Sequence, residues 1–322
     1  MYLFMLFYYK EKRKMTMYQC EDLLKGLSYE CIRGSLDKNI SEVVYDSRKI
    51  TKDCLFICIC GYNMDGHSFA FEAAQKGAAV LVVQKDVELP KESDVTVIRV
   101  ENTRYAMAFI SAAYFGHPAD QMKTIGITGT KGKTTTTYLI KSILESAGYK
   151  VGLVGTIETI IGEKHIPARN TTPESFVLQQ YFREMADEGC EIVVMEVASQ
   201  GLKLHRTQGF TFEIGIFTNL EPDHIGPNEH ADFEEYQACK GLLFKQCRHG
   251  IVNIDDVHME AVVKGHTCDL ETYGFDSNAD LYADDLKLIN KPGELGVDFH
   301  VRGKMDFRVE VPTPGRFSVY NA

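Results

Sequence analysis

The sequence predicts an α/β protein with two domains, the second of which is built on a mostly parallel sheet. Near-continuous apolar runs alternate with helical patterns in the second half of the chain, which is typical of parallel strands covered on both faces. A glycine-rich loop at 128–135 follows an apolar run and opens a helical pattern. The pattern breaks at 116–118, so we expect a domain boundary near residue 118.

Composition and charge narrow the class of protein. The 322 residues are enough for about two domains, and 44% hydrophobic with 25% charged residues is an ordinary globular composition. A net charge of -10 argues against a nucleic-acid partner, because such proteins usually carry a basic surface. The nine cysteines include no Cys-x-x-Cys pair and fit a reducing cytosol, so we expect a cytoplasmic protein.

The first residues do not read as part of the fold. The apolar run at 2–9 is too short to span a bilayer, and its charges at 10–14 follow it, an order that is wrong for a secretory signal. We expect translation to start at Met15 or Met17, which makes residues 1–16 a disordered upstream extension, and we expect no membrane association. The alternative is that the apolar run is a membrane anchor.

Residues 17–118 predict a compact N-terminal α/β domain in which short apolar runs alternate with Gly/Asp turns. The run at 77–83 predicts a buried strand after a helix. The run at 55–60 predicts another buried strand, in which Cys58 and Cys60 are small core residues, the preferred interpretation over a metal site.

Residues 119–322 predict the central domain with its parallel sheet. After Asp280 the pattern changes to alternating segments separated by Pro-Gly and Arg-Gly turns, which predicts a small antiparallel appendage. The predicted parallel strands lie at 191–195, 213–217 and 250–253, and the predicted helices at 174–188 and 233–247.

The loop at 128–135 predicts a nucleoside triphosphate site. Its glycines let backbone N–H groups turn toward phosphate oxygens, Lys133 supplies a cation, and the Thr134 hydroxyl is placed to hold Mg²⁺. A standard Walker A loop would have its first glycine at Ile127, whereas here it is Gly129. The residues expected to contact ATP in this loop are Gly129, Thr130, Lys131, Gly132, Lys133, Thr134 and Thr135.

Three further side chains are candidates for the same site. Glu196 ends a buried strand, where a carboxylate beside the loop would complete a Mg²⁺ shell; the alternative is a strand-end glutamate that reaches solvent. The Asp223-His224 pair also follows a strand, but most such histidines are ordinary loop residues. Lys240 lies within an apolar helix, where lysine is either paired or altered, or extends its amine to water.

Together these motifs resemble the Mur ligase family, and within it the UDP-N-acetylmuramoyl-tripeptide synthetases, over residues 17–322. The loop with glycine at Gly129 also resembles that of folylpolyglutamate synthase. The motifs that carry the resemblance, in chain order, are Asp46-Ser47-Arg48, 61–67, the phosphate loop, 170–174, 195–206, 219–224, 236–244 and 314–317.

The resemblance implies an ATP-dependent amide ligation. The D-Glu carboxylate of UDP-MurNAc-L-Ala-D-Glu would form an acyl phosphate, which the amine of meso-diaminopimelate or L-lysine displaces. Catalysis would depend on Lys133, Lys240 and His224, with Lys240 carbamylated and Mg²⁺ held by Thr134, Glu196, His224 and Lys240. The expected contacts are Ser47, Arg48, Asn63, Asp65, Gly66 and His67 with the UDP end, and Thr171, Thr172, Ser199 and Arg206 with the muramoyl-peptide end.

The chain departs from the family pattern in several places. Ala198-Ser199-Gln200 stands where the family often has two serines and a histidine, and Lys131 where it often has Asn. Ser318 replaces an Asn, which leaves Asn321 as the expected adenine contact. The chain stops at Ala322 without the family's C-terminal ligase domain, so we expect this chain alone to be inactive. A folylpolyglutamate synthase-like ligase and a non-catalytic nucleotide-binding fragment stay open, as does the oligomeric state.

Overall fold

The computed structural model describes residues 17–61, 64–227 and 229–322. The predicted upstream extension at 1–16 and the predicted substrate residue Asn63 lie outside these ranges. The chain divides into two compact units that meet between Gly116 and His117. Within the described ranges, every helix is too short or too polar to cross a membrane.

The first unit is an α/β domain whose strands are short and mostly buried. Its elements are β1 (Tyr18–Gln19), α1 (Cys20–Leu23), β2 (Glu30–Arg33), β3 (Asn39–Ile40), β4 (Val43–Val44), β5 (Leu55–Ile57), α2 (Ala70–Gln75), β6 (Val80–Val83), β7 (Thr96–Arg99) and α3 (Thr103–Tyr114). Five strands form a sheet in the order β2-β7-β6-β5-β4, parallel except for β2. The strands β5 and β6 are wholly buried, as expected for a parallel sheet covered on both faces.

The predicted strand at 55–60 is wrong at its end. The strand stops at Ile57, Cys58 is buried, and Cys60 is exposed, so Cys60 is not a core residue. The physical reason is a tight return of the chain, in which the Gly66 backbone N–H donates to the Ile59 carbonyl at 2.8 Å. A Cβ on Gly66 would lie 2.8 Å from the Ile59 nitrogen, so only glycine fits this return.

The second unit contains an eleven-stranded sheet. Its elements are β8 (Lys123–Thr128), α4 (Lys133–Ser146), β9 (Val151–Val154), β10 (Glu158–Ile161), β11 (Lys164–Pro167), α5 (Ser175–Asp187), β12 (Ile192–Glu196), α6 (Ser199–Lys203), β13 (Phe212–Phe217), α7 (Phe233–Gly241), β14 (Cys247–Asn253), α8 (Met259–Val262), β15 (Asp269–Gly274), β16 (Leu281–Lys291), β17 (Glu294–Gly303), β18 (Phe307–Val311) and α9 (Arg316–Asn321). The order is β11-β10-β9-β12-β8-β13-β14-β15-β16-β17-β18.

The centre of this sheet is parallel and its two edges are antiparallel. Strands β9, β12, β8, β13, β14, β15 and β16 pair in parallel, while β10 with β11 and β17 with β18 add antiparallel edges. The predicted fold class, including the antiparallel appendage, is confirmed, although the appendage continues the same sheet. The register sets Glu196 opposite Ile127 and Phe217 opposite Thr128. The carboxyl ends of β8, β12 and β13 therefore lie level with one another at the same end of the sheet.

The predicted helix at 233–247 is too long. The α-helix ends at Gly241, a 3₁₀ turn covers Leu242–Lys245, and Cys247 already belongs to β14. Gly241 packs so closely on α8 that a Cβ would lie 2.3 Å from the Val262 carbonyl oxygen. The apolar residues after it therefore face the core and the sheet, which a local sequence pattern does not distinguish from a continuing helix.

Candidate active site

The phosphate loop connects the end of β8 to the start of α4. Gly129 and Gly132 have φ values of 150° and 85°, a region that favours glycine. A Cβ on Gly129 would lie 2.0 Å from Oγ1 of Thr218, so the loop and the segment after β13 touch directly. The fourteen-residue helix α4 begins at Lys133, and its first backbone N–H groups and its dipole favour a phosphate there.

The segment after β13 clamps the loop by hydrogen bonds. The Thr130 N–H donates to the Asn219 carbonyl and the Lys131 N–H to Asn219 Oδ1, both at 2.9 Å, while Asn219 Nδ2 donates to the Lys131 carbonyl at 3.0 Å. The Lys131 ammonium pairs with Glu221, a residue of the segment after β13. The Tyr236 hydroxyl lies 3.0 Å from Thr130 Oγ1. The sequence analysis did not identify Asn219 or Tyr236 as clamp residues, because only the fold brings them to the loop.

A half-buried lysine, Lys133, and a buried one, Lys240, meet at one carbonyl of the loop. Lys133 Nζ and Lys240 Nζ each donate to the Gly129 carbonyl at 2.8 Å, and Lys133 also donates to the Thr130 carbonyl at 3.0 Å. Lys240 is 1% exposed, which excludes the alternative that its amine reaches water. Burial lowers the pKa of both amines, and for Lys240 the neighbouring Lys133 lowers the pKa further. A neutral amine is the form of lysine that reacts as a nucleophile.

Glu196 is a buried carboxylate at the end of β12. It is 1% exposed, which excludes the alternative that it extends to solvent. The Thr134 hydroxyl lies 3.0 Å from both of its oxygens, and Thr156 donates to them from its N–H at 2.8 Å and its hydroxyl at 3.0 Å. Within the part of the chain that the structure describes, Glu196 forms no ion pair. A buried carboxylate beside a hydroxyl, both oxygen donors, fits Mg²⁺.

His224 lies in the loop after β13. Its backbone has a φ of 53°, its side chain is 54% exposed, and its Nδ1 lies 3.0 Å from Glu229 Oε1. Its ring centroid is 6.1 Å from that of Tyr236, which places it beside the residue that contacts the phosphate loop.

Thr172 and Arg206 build the wall next to Glu196. The Thr172 hydroxyl donates to the Glu196 carbonyl at 3.1 Å and accepts from the Ala198 N–H at 2.9 Å. Arg206 donates to the Thr172 carbonyl at 3.0 Å and pairs with Glu174 at 2.7 Å. These predicted peptide-side residues are thus brought to the same sheet edge as Glu196.

His230 is a site residue that the sequence analysis missed. It is wholly buried, its Nε2 lies 2.9 Å from Ser199 Oγ, and its Nδ1 lies 3.7 Å from Glu235 Oε2. Burial, followed by the charge of Lys203, lowers the pKa of His230. No motif in the sequence marked His230, because Ser199, which its Nε2 contacts, lies 31 residues away in the chain.

Asn321 lies against the phosphate loop. A Cβ on Gly132 would be 2.3 Å from Asn321 Oδ1, and the Thr136 hydroxyl donates to the Asn321 carbonyl at 3.3 Å. The helix α9 that carries it is held by the Tyr320 hydroxyl, which donates to Asp255 at 2.7 Å. The predicted adenine contact is therefore next to the loop. Thr135 is exposed on the first turn of α4.

The predicted UDP contacts lie in the first unit. Ser47 and Arg48 form a 3₁₀ turn capped by Asp46, whose pKa is lowered by the hydrogen bond from the Arg48 side chain. The Arg48 side chain is 87% exposed, so its free donors face solvent. Asp65 in turn caps the 3₁₀ helix Gly66–Phe69 by accepting from the His67 N–H at 3.0 Å.

Cys60, Asp65 and His67 place three possible metal ligands within 4.8 Å of one another. The Gln84 N–H donates to His67 Nε2 at 3.0 Å, so the ring proton is on Nδ1, where it donates to Asp65 at 2.7 Å. Asp65 also pairs with the Lys85 ammonium. His67 has no free lone pair for a metal, and the trio is a hydrogen-bonded turn.

Comparison with known proteins agrees with this architecture. The Mur ligase middle domain matches residues 127–322, and the Mur ligase family, catalytic domain, matches residues 39–115. The UDP-N-acetylmuramoyl-L-alanyl-D-glutamate--2,6-diaminopimelate ligase of Clostridium perfringens is 42% identical over 307 residues, 94% of this chain and 62% of that protein. The chain thus spans 62% of the length of this curated relative.

Solved structures share the fold. A UDP-N-acetylmuramoyl-L-alanyl-D-glutamate--2,6-diaminopimelate ligase superposes with a TM-score of 0.80 at 24% identity, over 95% of this chain and 62% of that one. The MurF ligase from Thermotoga maritima in complex with ADP superposes with a TM-score of 0.56 at 19% identity, over 87% and 60%. The Mur ligase middle domain alone matches more than half of the residues of this chain, so the chain belongs to the Mur ligase family.

Proposed function

We propose that this chain supplies the UDP-sugar and ATP-binding parts of an ATP-dependent amide ligase that extends UDP-MurNAc-L-Ala-D-Glu with a diamino acid in peptidoglycan precursor synthesis. The observation that carries the proposal is the phosphate loop that brings Lys133 and Thr134 beside the buried Glu196. The name of the Clostridium perfringens relative supports 2,6-diaminopimelate as the amine over L-lysine. The cytoplasm is the compartment that this ATP-dependent reaction implies.

The reaction has two balanced steps. A D-Glu carboxylate oxygen attacks the γ-phosphorus of ATP, and the bond from that phosphorus to the β–γ bridging oxygen breaks. The products are ADP, which is the leaving group, and an acyl phosphate on the substrate. The amine then attacks the acyl carbon, loses a proton, and expels inorganic phosphate as the amide forms. Lys133 stabilises the transferring phosphoryl charge, and the fixed N–H groups of the loop orient it, as in other phosphoryl transfers.

Mg²⁺ would neutralise the phosphate charge when it is bound, and Thr134 and Glu196 would hold it. Lys240 and His224 are proposed at a second metal position, with Lys240 as the carbamate. Its burial and its lowered pKa support this role, because only a neutral amine adds CO₂. The carbamate would turn a buried amine into an anionic oxygen donor beside Lys133.

We assign the substrate by its two ends. The muramoyl-peptide end would meet Thr171, Thr172, Ser199 and Arg206, which the hydrogen bonds around Glu196 and His230 hold in place. The UDP end would meet Ser47, Arg48, Asp65, Gly66 and His67, together with Asn63. The adenine would meet Asn321.

Calorimetric titration with UDP-MurNAc-L-Ala-D-Glu tests the proposal, with UDP-MurNAc-L-Ala and a folate monoglutamate as controls. We expect preferential binding of the dipeptide form. Binding of the folate instead would favour a folylpolyglutamate synthase-like ligase. Binding of ATP alone, lost in Lys133→Ala, would leave a nucleotide-binding fragment and overturn the substrate assignment.

A further inference from the structure

The buried carboxylate of Glu196 is enclosed by the turn Gly155-Thr156 that follows β9. The Thr156 N–H donates to Oε1 at 2.8 Å and the Thr156 hydroxyl lies 3.0 Å from Oε2. A Cβ on Gly155 would lie 2.6 Å from Oε1, so the turn fits the carboxylate closely. Thr156 thus contacts both carboxylate oxygens of Glu196, the same oxygens that the Thr134 hydroxyl of the phosphate loop contacts.

The hydrogen bonds of Thr156 have a fixed direction. The Thr156 hydroxyl donates to Glu196 Oε2 at 3.0 Å, so its single proton points to Glu196. Thr156 Oγ1 also lies 3.0 Å from Thr171 Oγ1. With its own proton committed, Thr156 accepts there, and Thr171 is the donor. A directed chain therefore runs from Thr171 through Thr156 to Glu196.

We propose that Thr156 is a positioning residue that orients Glu196 toward Mg²⁺ and couples the nucleotide site to the acyl-substrate side at Thr171. The inference rests on the proposed function, because that function gives Thr171 and Glu196, the two ends of the hydrogen-bond series, their roles. Outer hydrogen bonds that orient a metal-binding carboxylate typically contribute about 10- to 100-fold to metal affinity. In this hydrogen-bond series the Thr171 hydroxyl donates its proton to Thr156. A substrate group that bonds to the Thr171 oxygen is therefore a hydrogen-bond donor.

The test compares Thr156→Val, which keeps the shape without the hydroxyl, with Thr156→Ser, which keeps the hydroxyl. ATP affinity is measured by calorimetry in EDTA and over a Mg²⁺ titration. We expect Thr156→Val to raise the Mg²⁺ concentration for half-maximal enhancement of ATP binding about tenfold. ATP affinity in EDTA should stay at the wild-type value, and Thr156→Ser should retain the wild-type Mg²⁺ dependence.

A merely structural role predicts a different pattern. Damage to the loop would lower ATP affinity in EDTA and in Mg²⁺ alike, and that result would overturn the inference, as would a wild-type Mg²⁺ dependence in Thr156→Val. If the valine variant unfolds, the same Mg²⁺ dependence of ATP affinity is measured on Thr156→Ala, which removes the hydroxyl and adds no bulk. Failure of the wild-type chain to bind ATP would instead overturn the proposed function.

The coupling is tested with the second substrate. In the wild-type chain, a non-hydrolysable ATP analogue with Mg²⁺ should raise the affinity for UDP-MurNAc-L-Ala-D-Glu, and the dipeptide should raise analogue affinity by the same factor. That factor should fall toward one in Thr156→Val and stay in Thr156→Ser. An unchanged factor in Thr156→Val would overturn the coupling.

Discussion

Replacing Gly129 with alanine tests whether contact between the phosphate loop and the strand β13 segment determines the loop's shape. Gly129 has a φ of 150°, and the new methyl would lie 2.0 Å from Thr218 Oγ1 and 3.1 Å from the Asn219 carbonyl oxygen. The Thr218 hydroxyl donates to the Lys131 carbonyl at 2.8 Å. The methyl therefore strains the backbone and displaces a side chain that is itself bonded to the loop.

The structure sets the expected magnitude. A non-glycine residue in this backbone region costs about 1–3 kcal/mol, and the lost Thr218 hydrogen bond adds about 1 kcal/mol. We expect Gly129→Ala to lower the free energy of unfolding by about 2–4 kcal/mol. Gly148 is the matched control, because its φ is 93° and a methyl added there would have nothing within 4 Å. Gly148→Ala should cost only the backbone term, about 1–2 kcal/mol.

Urea unfolding and ATP calorimetry measure the two effects. Gly129→Ala should weaken ATP binding and Gly148→Ala should not. Adding Thr218→Ala to Gly129→Ala removes the clashing atom and should recover part of the stability, a coupling that a double-mutant cycle quantifies. The reasoning is refuted if Gly129→Ala is no more destabilising than Gly148→Ala, or if Thr218→Ala recovers nothing.

Two further predictions concern stability away from the loop. Desolvation raises the pKa of Asp65, but hydrogen bonds from Lys85 and His67 outweigh it, and the pKa is lowered from its ordinary 3.8. The stability that Asp65 contributes is present above its unfolded-state pKa of 3.8 and is lost as the pH falls from there toward the lower pKa of the folded state. The melting temperature should therefore fall more steeply below about pH 4 for the wild type than for Asp65→Asn; equal slopes would contradict the pairing. Phe182 is wholly buried against the Phe210 ring at 5.2 Å, so Phe182→Ala should cost about 3–5 kcal/mol in urea unfolding. Phe182→Leu should cost less, and a loss below about 1 kcal/mol for alanine would contradict the core assignment.

The sequence predicted the sheet of the second unit well because its signal is local. Near-continuous apolar runs marked β12 and β13 within about a residue of their observed bounds, since strands buried on both faces need apolar side chains at every position. The glycine-rich loop follows one such strand and Glu196 ends another, so their meeting at the carboxyl end of the sheet was predictable from strand ends alone. For Lys240 the apolar surroundings left two alternatives, a buried amine or one that extends to water, and the fold decides for the buried amine.

The features that escaped prediction depend on contacts between distant segments. The helix ends at Gly241 because α8 packs against it, and Cys60 is exposed because the chain turns back at Ile59. His230 and Thr156 carry no motif of their own. His230 acquires its role from Ser199 and Thr156 from Glu196, hydrogen-bond partners that lie tens of residues away. Composition and periodicity do not predict such long-range partners.

The carbonyl of Gly129 accepts hydrogen bonds from both lysines of the site, Lys133 and Lys240. Lys133 donates to the carbonyls of Gly129 and Thr130, which holds the loop around its amine. A phosphate competes for that amine, and a Lys133 that turns to it releases those carbonyls. The Gly129 carbonyl keeps a donor only because Lys240 also bonds it, at 2.8 Å. In the proposed carbamate the Lys240 nitrogen would keep one N–H for this carbonyl, so the same contact is open to the amine and to the carbamate when Lys133 turns to a phosphate.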